Sequence, residues 1–255
     1  MESKETIETE ETFNSFEFTD PSVELVGITN PTSNISIESF IEDAGRTCYK
    51  SFDKKDIDTD EKFCNMLLNS GHTSVFEHAS ATFRIECSRS VMAELTRHRL
   101  ASYSIQSQRF VNYTKKGLTF IKPSWVKWED VEKFSLSTND KYHFSNTATD
   151  YFLLSVSMIN QTYQKLITRG WKPEQAREIL PNCTATEIVM TANFREWIEI
   201  LKQRSNANPA AYSEMRVIAN EIARILVLKS PTIFKQFNFN NESEEIIEKE
   251  LELKH

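Results

Sequence analysis

Between Glu94 and Phe110 the chain reads Glu-Leu-Thr-Arg-His-Arg-Leu-Ala-Ser-Tyr-Ser-Ile-Gln-Ser-Gln-Arg-Phe. A solvated helix face would mix Lys with Glu. Here every cation is Arg, and no acid follows Glu94. Arg is the side chain used where a planar fork must grip a phosphate or carboxylate through two parallel hydrogen bonds. Arg97 and Arg99 are two residues apart, as are Ser107 and Arg109. In an extended segment that spacing puts both side chains on one face. The expected layout is a helix ending near Arg99, a turn, then an extended stretch through Ser107 and Arg109. Two clusters could then converge on one anion. Two blander readings compete: a solvated ion-pair network, and an arginine strip for RNA.

Charge distribution bears on that choice. The chain carries a formal −7. Residues 1–20 hold six Glu, one Asp and one Lys, and residues 242–255 hold six Glu and two Lys. Removing those ends leaves the body at +3. Mildly basic suits an anionic small ligand and is too weak a field to indicate nucleic acid. Aromatics are also not interleaved with the arginines, as a base-stacking surface requires. The arginine strip therefore points to a small molecule, with no nucleic-acid partner expected.

No apolar run reaches the roughly 18 residues of a membrane span. The start, MESKETIETEETF, has no apolar core of a secretory signal and is acidic, unlike a transit peptide. The expectation is no membrane partner and a cytoplasmic or nuclear setting. Four cysteines (Cys48, Cys64, Cys87, Cys183) show no CxxC spacing. They fit neither a disulfide framework nor a zinc site and are expected to be reduced, mostly buried thiols.

Along the chain, residues 1–20 read as a disordered acidic tail. Val23–Ile28 reads as a strand. Ile37–Tyr49 and Asp60–Ser70 show helical period, the second stopped by Gly71. Lys54–Asp60 is a charged loop. Ala79–Cys87 alternates as a strand with Phe83, Ile85 and Cys87 on one face. Ser88 suits the N-cap of a helix running to Arg99. Lys115–Lys122 reads as a hairpin-like return strand, and Trp125–Asp150 as an irregular insertion. Tyr151–Arg169 is a long helix closed by Gly170, and Pro173 opens another. Cys183–Thr191 is a strand, Asn193 caps a helix through Arg204, and Ala210–Leu228 is the last core helix. Residues 242–255 form either an isolated helix or a disordered tail. The fold class implied is α+β: a single domain over 21–241, with a central mainly antiparallel sheet flanked by helices.

The chemistry on offer is narrow. There is no Ser-His-Asp order, no Walker loop and no GxGxxG. Phosphate binding must come from arginine forks and backbone amides. His72 and His78 stand six apart without a third ligand nearby, so no metal is expected. With no clear protein nucleophile, a cofactor must carry the difficult chemistry.

Arg97-His98-Arg99, seven intervening residues, then Ser107 resembles the signature of flavin-dependent thymidylate synthases, with Phe110 where Tyr is usual. Gly71-His72-Thr-Ser74-Val-Phe-Glu77-His78 resembles the segment that precedes that signature in the family. Ala-Arg177-x-x-Leu-Pro and Asn193-Phe-Arg195, with Arg204 nine residues later, are similar to two further family segments. The resemblance covers residues 23 to 235, and none of the four cysteines sits in the Pro-Cys-His context of the other thymidylate synthase class.

The resemblance implies FAD as cofactor. It also implies NADPH and methylenetetrahydrofolate as co-substrates, conversion of dUMP to dTMP, and a homotetramer with active sites shared between subunits. Carried over by position, His72, Ser74, Arg97, His98, Arg99, Asn193 and Arg195 would contact FAD, with Ile105 and Glu199 at flavin-facing positions. Glu94, Arg97, Ile105, Gln106, Ser107, Gln108, Arg109 and Arg177 would hold dUMP, its phosphate at Ser107, Arg109 and the amides of 105–108. Arg204 would be catalytic, stabilising the N3-deprotonated uracil. Glu94 stands where Gln is common and would need an Arg partner. Ile105 stands where an acid or amide is usual, and Glu199 where Asn is frequent. The loop after Arg204 is about two residues longer than usual. A flavin- or nucleotide-binding protein without catalysis is the alternative those departures leave open.

Overall fold

A computed structural model describes residues 16–32, 34–56, 58–114, 117–137 and 147–238. The acidic stretches 1–15 and 242–255 lie outside the described residues, as do Lys115 and Lys116. The described chain falls into two compact units, 16–20 with 106–185 and 21–105 with 186–238. The path starts in the smaller unit with β1 (Glu17–Thr19). It enters the larger unit for β2 (Ser22–Ile28), α1 (Ile37–Thr47), α2 (Thr59–Ser70), β3 (Ser80–Ser88), α3 (Arg89–Leu95) and β4 (Ala101–Ile105). The smaller unit resumes with β5 (Thr119–Ile121), α4 (Trp128–Ser137), α5 (Ala148–Thr168) and α6 (Pro173–Ala176). The larger unit finishes with β6 (Ala185–Asn193), α7 (Phe194–Arg204), α8 (Ser213–Lys229) and α9 (Pro231–Phe234).

The larger unit holds a four-stranded sheet in the order β2-β3-β6-β4. β2 runs antiparallel to β3 from Ser22↔Glu86 to Ile28↔Ala81, and β4 antiparallel to β6 from Ala101↔Ala192 to Ile105↔Ile188. Period-two alternation buries Phe83, Ile85 and Cys87 on one face, with Ile188, Met190 and Ala192 beside them. The opposite face carries Arg84 between Glu24 and Glu187, at 3.2 and 3.8 Å. The α7 helix lays Trp197 into the buried face. Its ring meets Phe83 edge-on at 5.1 Å, and its indole N–H donates to the Ala81 carbonyl at 3.1 Å. Burying a side chain such as Phe83 contributes about 1.5–3 kcal/mol. That anchorage fixes α7 against the sheet.

The expected elements are present, with corrections. The helix from Arg89 ends at Leu95, short of Arg99. Tight turn bonds from Arg97 N to Glu94 O and from His98 N to Leu95 O close it, and the ladder to β6 requires extended chain by Ala101. Thr119–Ile121 is not a hairpin return. It pairs in parallel with β1, whose flanking Phe16 and Phe18 rings pack on Phe120 at 5.8 and 6.0 Å. Residues 17–19, expected within the acidic tail, therefore form a strand. The irregular insertion contains α4, which buries Val131 and Phe134 with Val126 and Leu153. Residues 138–146 lie outside the described residues.

Candidate active site

Ser88 caps α3 by accepting from Val91 N at 3.2 Å, as expected. A buried carboxylate on α8, Glu214, accepts the Ser88 backbone N–H at 2.8 Å and pins the start of that helix. At its other end, the Tyr103 hydroxyl lies 2.7 Å from the carbonyls of Leu95 and His98. Burial, with the Glu196 carboxylate second, pushes that phenol up to about 12, so it stays a donor. Between these fixed points α3 gives way to a turn at Thr96 and Arg97, and strand begins at Ala101. His98 turns inward and is buried, while Arg97 and Arg99 turn outward and are exposed. Both arginines are exposed on either side of the buried His98, though Arg97 lies in a turn and not in the extended chain expected. Neither has an acidic partner among the described residues.

The α7 helix brings the next set. Asn193 caps it, accepting from Glu196 N at 2.9 Å, and Arg204 is its last residue. The Arg204 guanidinium donates through Nη1 to Glu94 Oε2 at 2.7 Å and through Nε to His98 Nε2 at 3.3 Å. On the far side of the imidazole, His98 Nδ1 lies 3.7 Å from Glu196 Oε1. The four side chains make one row: Glu94, Arg204, His98, Glu196. Burial first, and the Arg204 charge second, hold His98 below its usual value. Burial also raises the Glu196 carboxyl, with Glu199 adding to the shift and Arg195 opposing it. A neutral His98 is what an Arg donor requires, because imidazolium has no lone pair to offer. Glu94 has the Arg partner its position demanded.

This row lines an open cavity of about 1000 Å³, with Arg97, Arg99, Gln203 and Tyr212 among the other walls. A second cavity in the same unit, about 800 Å³, has apolar walls from Phe63, Met66, Leu67 and Val75, with His72 and Ser74 at its edge. Its wall is braced by Arg46, which pairs with buried Glu42 at 2.6 Å and donates to the carbonyls of Ser51 and Lys54. Both volumes suit small-molecule or cofactor sites, which run from about 300 to 1,000 Å³. At the start of α7, Arg195 pairs with Glu77 at 2.5 Å and Glu199 with Lys202 at 2.9 Å.

Ile105 ends β4 opposite Ile188 and packs in the core of the larger unit, so its side chain offers no polar group. Gln106, Ser107, Gln108, Arg109 and Arg177 belong to the smaller unit. The extended stretch expected through Arg109 is not found. The strand stops at Ile105, and a turn follows in which the Ser107 hydroxyl accepts Arg109 N at 3.2 Å and the Ser107 carbonyl accepts Val111 N. Arg109 touches Glu174 at 3.4 Å and Arg177 touches Glu178 at 3.5 Å, all four side chains being substantially exposed. The Gln108 amide nitrogen is buried without a partner, an orphaned donor of the kind a ligand acceptor satisfies.

Of the cysteines, Cys64 and Cys87 are buried, Cys183 is half-buried and Cys48 exposed. Burial pushes the Cys64 thiol up to about 12 and raises Cys87 as well, which leaves both poor nucleophiles. Among the described residues, no group of three His, Cys, Asp or Glu is placed to hold a metal ion, and no helix is long and apolar enough to cross a membrane. The sequence reading missed Glu196, Gln203 and Tyr212. A signal existed for the first: 196, 200 and 204 recur at helical spacing on one face of α7.

A family profile described as thymidylate synthase complementing protein matches residues 33–232. The chain is 35% identical over 201 residues to a probable flavin-dependent thymidylate synthase of Mycobacterium phage L5, covering 78% of this chain and 79% of the relative. Against the probable flavin-dependent thymidylate synthase of Mycobacterium phage D29, identity is 37% over 204 residues, covering 78% and 83%. Against the flavin-dependent thymidylate synthase of Corynebacterium diphtheriae it is 34% over 206 residues, covering 78% and 79%. With the profile spanning most of the chain and relatives at 34–37% identity covered over more than three quarters of their length, the chain belongs to the flavin-dependent thymidylate synthase family.

Proposed function

We propose that this protein converts dUMP to dTMP, with methylenetetrahydrofolate as carbon donor and NADPH as reductant by way of FAD. The observation that carries the reading is the larger cavity. Arg97 and Arg99 bring it charge unmatched by any acid among the described residues, and Arg204 is held in place by neighbours. Such a wall suits phosphorylated ligands. The apolar cavity edged by His72 and Ser74 suits an aromatic ring system. Arg97 and Arg99 offer the cations an FAD diphosphate needs, and His98, Asn193 and Arg195 would complete the holding set, with His72 and Ser74 serving a flavin in a homotetramer whose sites are shared between subunits. Bound there, FAD would supply the redox chemistry, the reducing equivalents for the transferred carbon coming from NADPH.

The side chains have separable tasks. Ser107, the Gln108 amide and Arg109 take the dUMP phosphate, and Arg177 reaches the nucleotide from another subunit. Arg204 faces the uracil edge. There its fixed positive charge stabilises the N3-deprotonated ring, whose C5 is the more nucleophilic carbon. A guanidinium suits this because it does not give up its own proton. Neither contact of Arg204 uses Nη2, so binding the ring does not require it to leave Glu94 and His98. The cytoplasm is the proposed setting.

The test is anaerobic turnover. Purified protein loaded with FAD should bleach on addition of NADPH and, with dUMP and methylenetetrahydrofolate, form dTMP. Protein that takes up no FAD, or that bleaches yet never forms dTMP, contradicts the reading.

A further inference from the structure

We propose that Glu196 is a positioning residue for Arg204, acting through the His98 imidazole. The inference rests on the catalytic reading of Arg204 given above and adds a residue that the motif comparison left out. The geometry has three parts. The Glu196 carboxylate, 11% exposed, faces Nδ1 of His98, 8% exposed, at 3.7 Å. Arg204 Nε approaches the opposite ring nitrogen at 3.3 Å and must find a lone pair there. The Tyr103 hydroxyl fixes the His98 backbone, so the ring can choose only its rotation and its tautomer.

Arg204 tolerates one arrangement: proton on Nδ1, lone pair on Nε2. The alternatives set an N–H against the Arg204 N–H. A carboxylate beside Nδ1 selects the tolerated form because it accepts that proton. At 3.7 Å the contact is electrostatic, and closure by about 0.5 Å makes it a hydrogen bond. Without it, a buried Nδ1–H has no acceptor, and the ring gains by turning over or moving its proton to Nε2. Turning over replaces the acceptor nitrogen with a ring C–H, and moving the proton sets an N–H against the Arg204 N–H, so either change costs Arg204 this contact. Glu94 then holds Arg204 from one side only, and that contact is partly exposed. At metal sites, removing the carboxylate that orients a ligating His costs about 10- to 100-fold in affinity or activity, and an effect of that order is expected for the same orienting contact here.

Charged and titratable neighbours of this ring come from three places. Arg204, Arg195 and Glu199 share α7 with Glu196, Tyr103 lies on β4, and Glu94 on α3 reaches the row through Arg204.

The experiment compares wild type, Glu196→Ala and Glu196→Gln as FAD-loaded full-length protein. The ¹⁵N resonances of His98, assigned by their loss in His98→Asn, report the tautomer without reference to turnover. Wild type should show neutral His98 with its proton on Nδ1, and Glu196→Gln should keep that form because the amide oxygen still accepts. Glu196→Ala should populate the other tautomer and lower kcat for dTMP formation by about 10-fold or more, with KM for dUMP changed less than about 3-fold. Glu196→Gln should recover kcat to within about 3-fold of wild type. Wild-type His98 protonated on Nε2, an alanine variant with normal tautomer and kcat, or equal damage in both variants each overturns the proposal. Wild type that shows the expected tautomer but never forms dTMP indicts the functional reading instead, since the ring geometry would stand without it.

Discussion

The proposed function gives Arg204 the reacting base and Arg109 a phosphate, and the two arginines are held very differently. In the larger unit, Arg204 is 21% exposed, gripped by Glu94 at 2.7 Å and by a buried imidazole at 3.3 Å. In the smaller unit, Arg109 is 57% exposed in a turn and touches Glu174 at 3.4 Å. A guanidinium fixed before the substrate arrives needs no reorganisation when charge develops, and that is where electrostatic catalysis gains most. One that must be collected from solvent contributes to affinity and loses side-chain entropy on binding. Under the proposed function the first would serve the chemical step and the second phosphate capture.

The sharpest way to break that contrast is Arg204→Ala. It should lower dTMP formation by about 10²–10³-fold at saturating dUMP while FAD loading is unchanged. Turnover by product analysis and the flavin spectrum check the two halves. Arg109→Ala should act on affinity instead, raising KM for dUMP by about 10- to 100-fold, the loss expected for one charge-assisted hydrogen bond, with kcat nearly kept. An equal effect on kcat would erase the distinction.

Smaller effects sharpen it. Glu94→Gln keeps an acceptor for Arg204 but not the charge. The pair is partly exposed, so the change is worth under about 1 kcal/mol, less than about 5-fold in kcat. The pH dependence of stability follows from His98. Its folded value lies below the usual 6.5, so the unfolded chain takes up a proton first as pH falls. Stability from a neutral His98 is fully present above about 6.5 and declines as pH drops from there toward the folded value. The raised carboxyls of Glu196 and Glu214 act in the opposite sense, their cost growing as pH climbs above the usual 4.5. Comparing Tm between wild type and His98→Asn isolates the His98 slope, which should be flatter below pH 6.5 in the variant.

Elements with strong local signals were legible in the sequence. The Asn193 cap and the run to Arg204 match α7 at both ends, because a cap side chain and a helical stripe are local facts. Gly71 closes α2 at φ 73, a conformation glycine enters at little cost. The cation pair Arg97 and Arg99 was legible through its spacing. What escaped depended on partners distant in sequence. Phe16 and Phe18 sit in an acidic stretch whose charge hides two aromatics, and residues 17–19 become a strand by pairing with 119–121, about a hundred residues on. The turn after Ile105 is set by where β6 stops pairing, which alternating Ser and Gln do not announce. Glu196 acquires meaning only once His98 is folded against it.

The most direct measurement is a single turnover with pre-reduced, FAD-loaded enzyme and dUMP raised until the rate no longer changes. The expected result is Arg204→Ala slower than wild type by at least about 100-fold and Arg109→Ala within a few-fold of wild type. Arg204→Ala rescued by saturating dUMP, with Arg109→Ala still slow, would contradict the assignment of Arg204 to the chemical step.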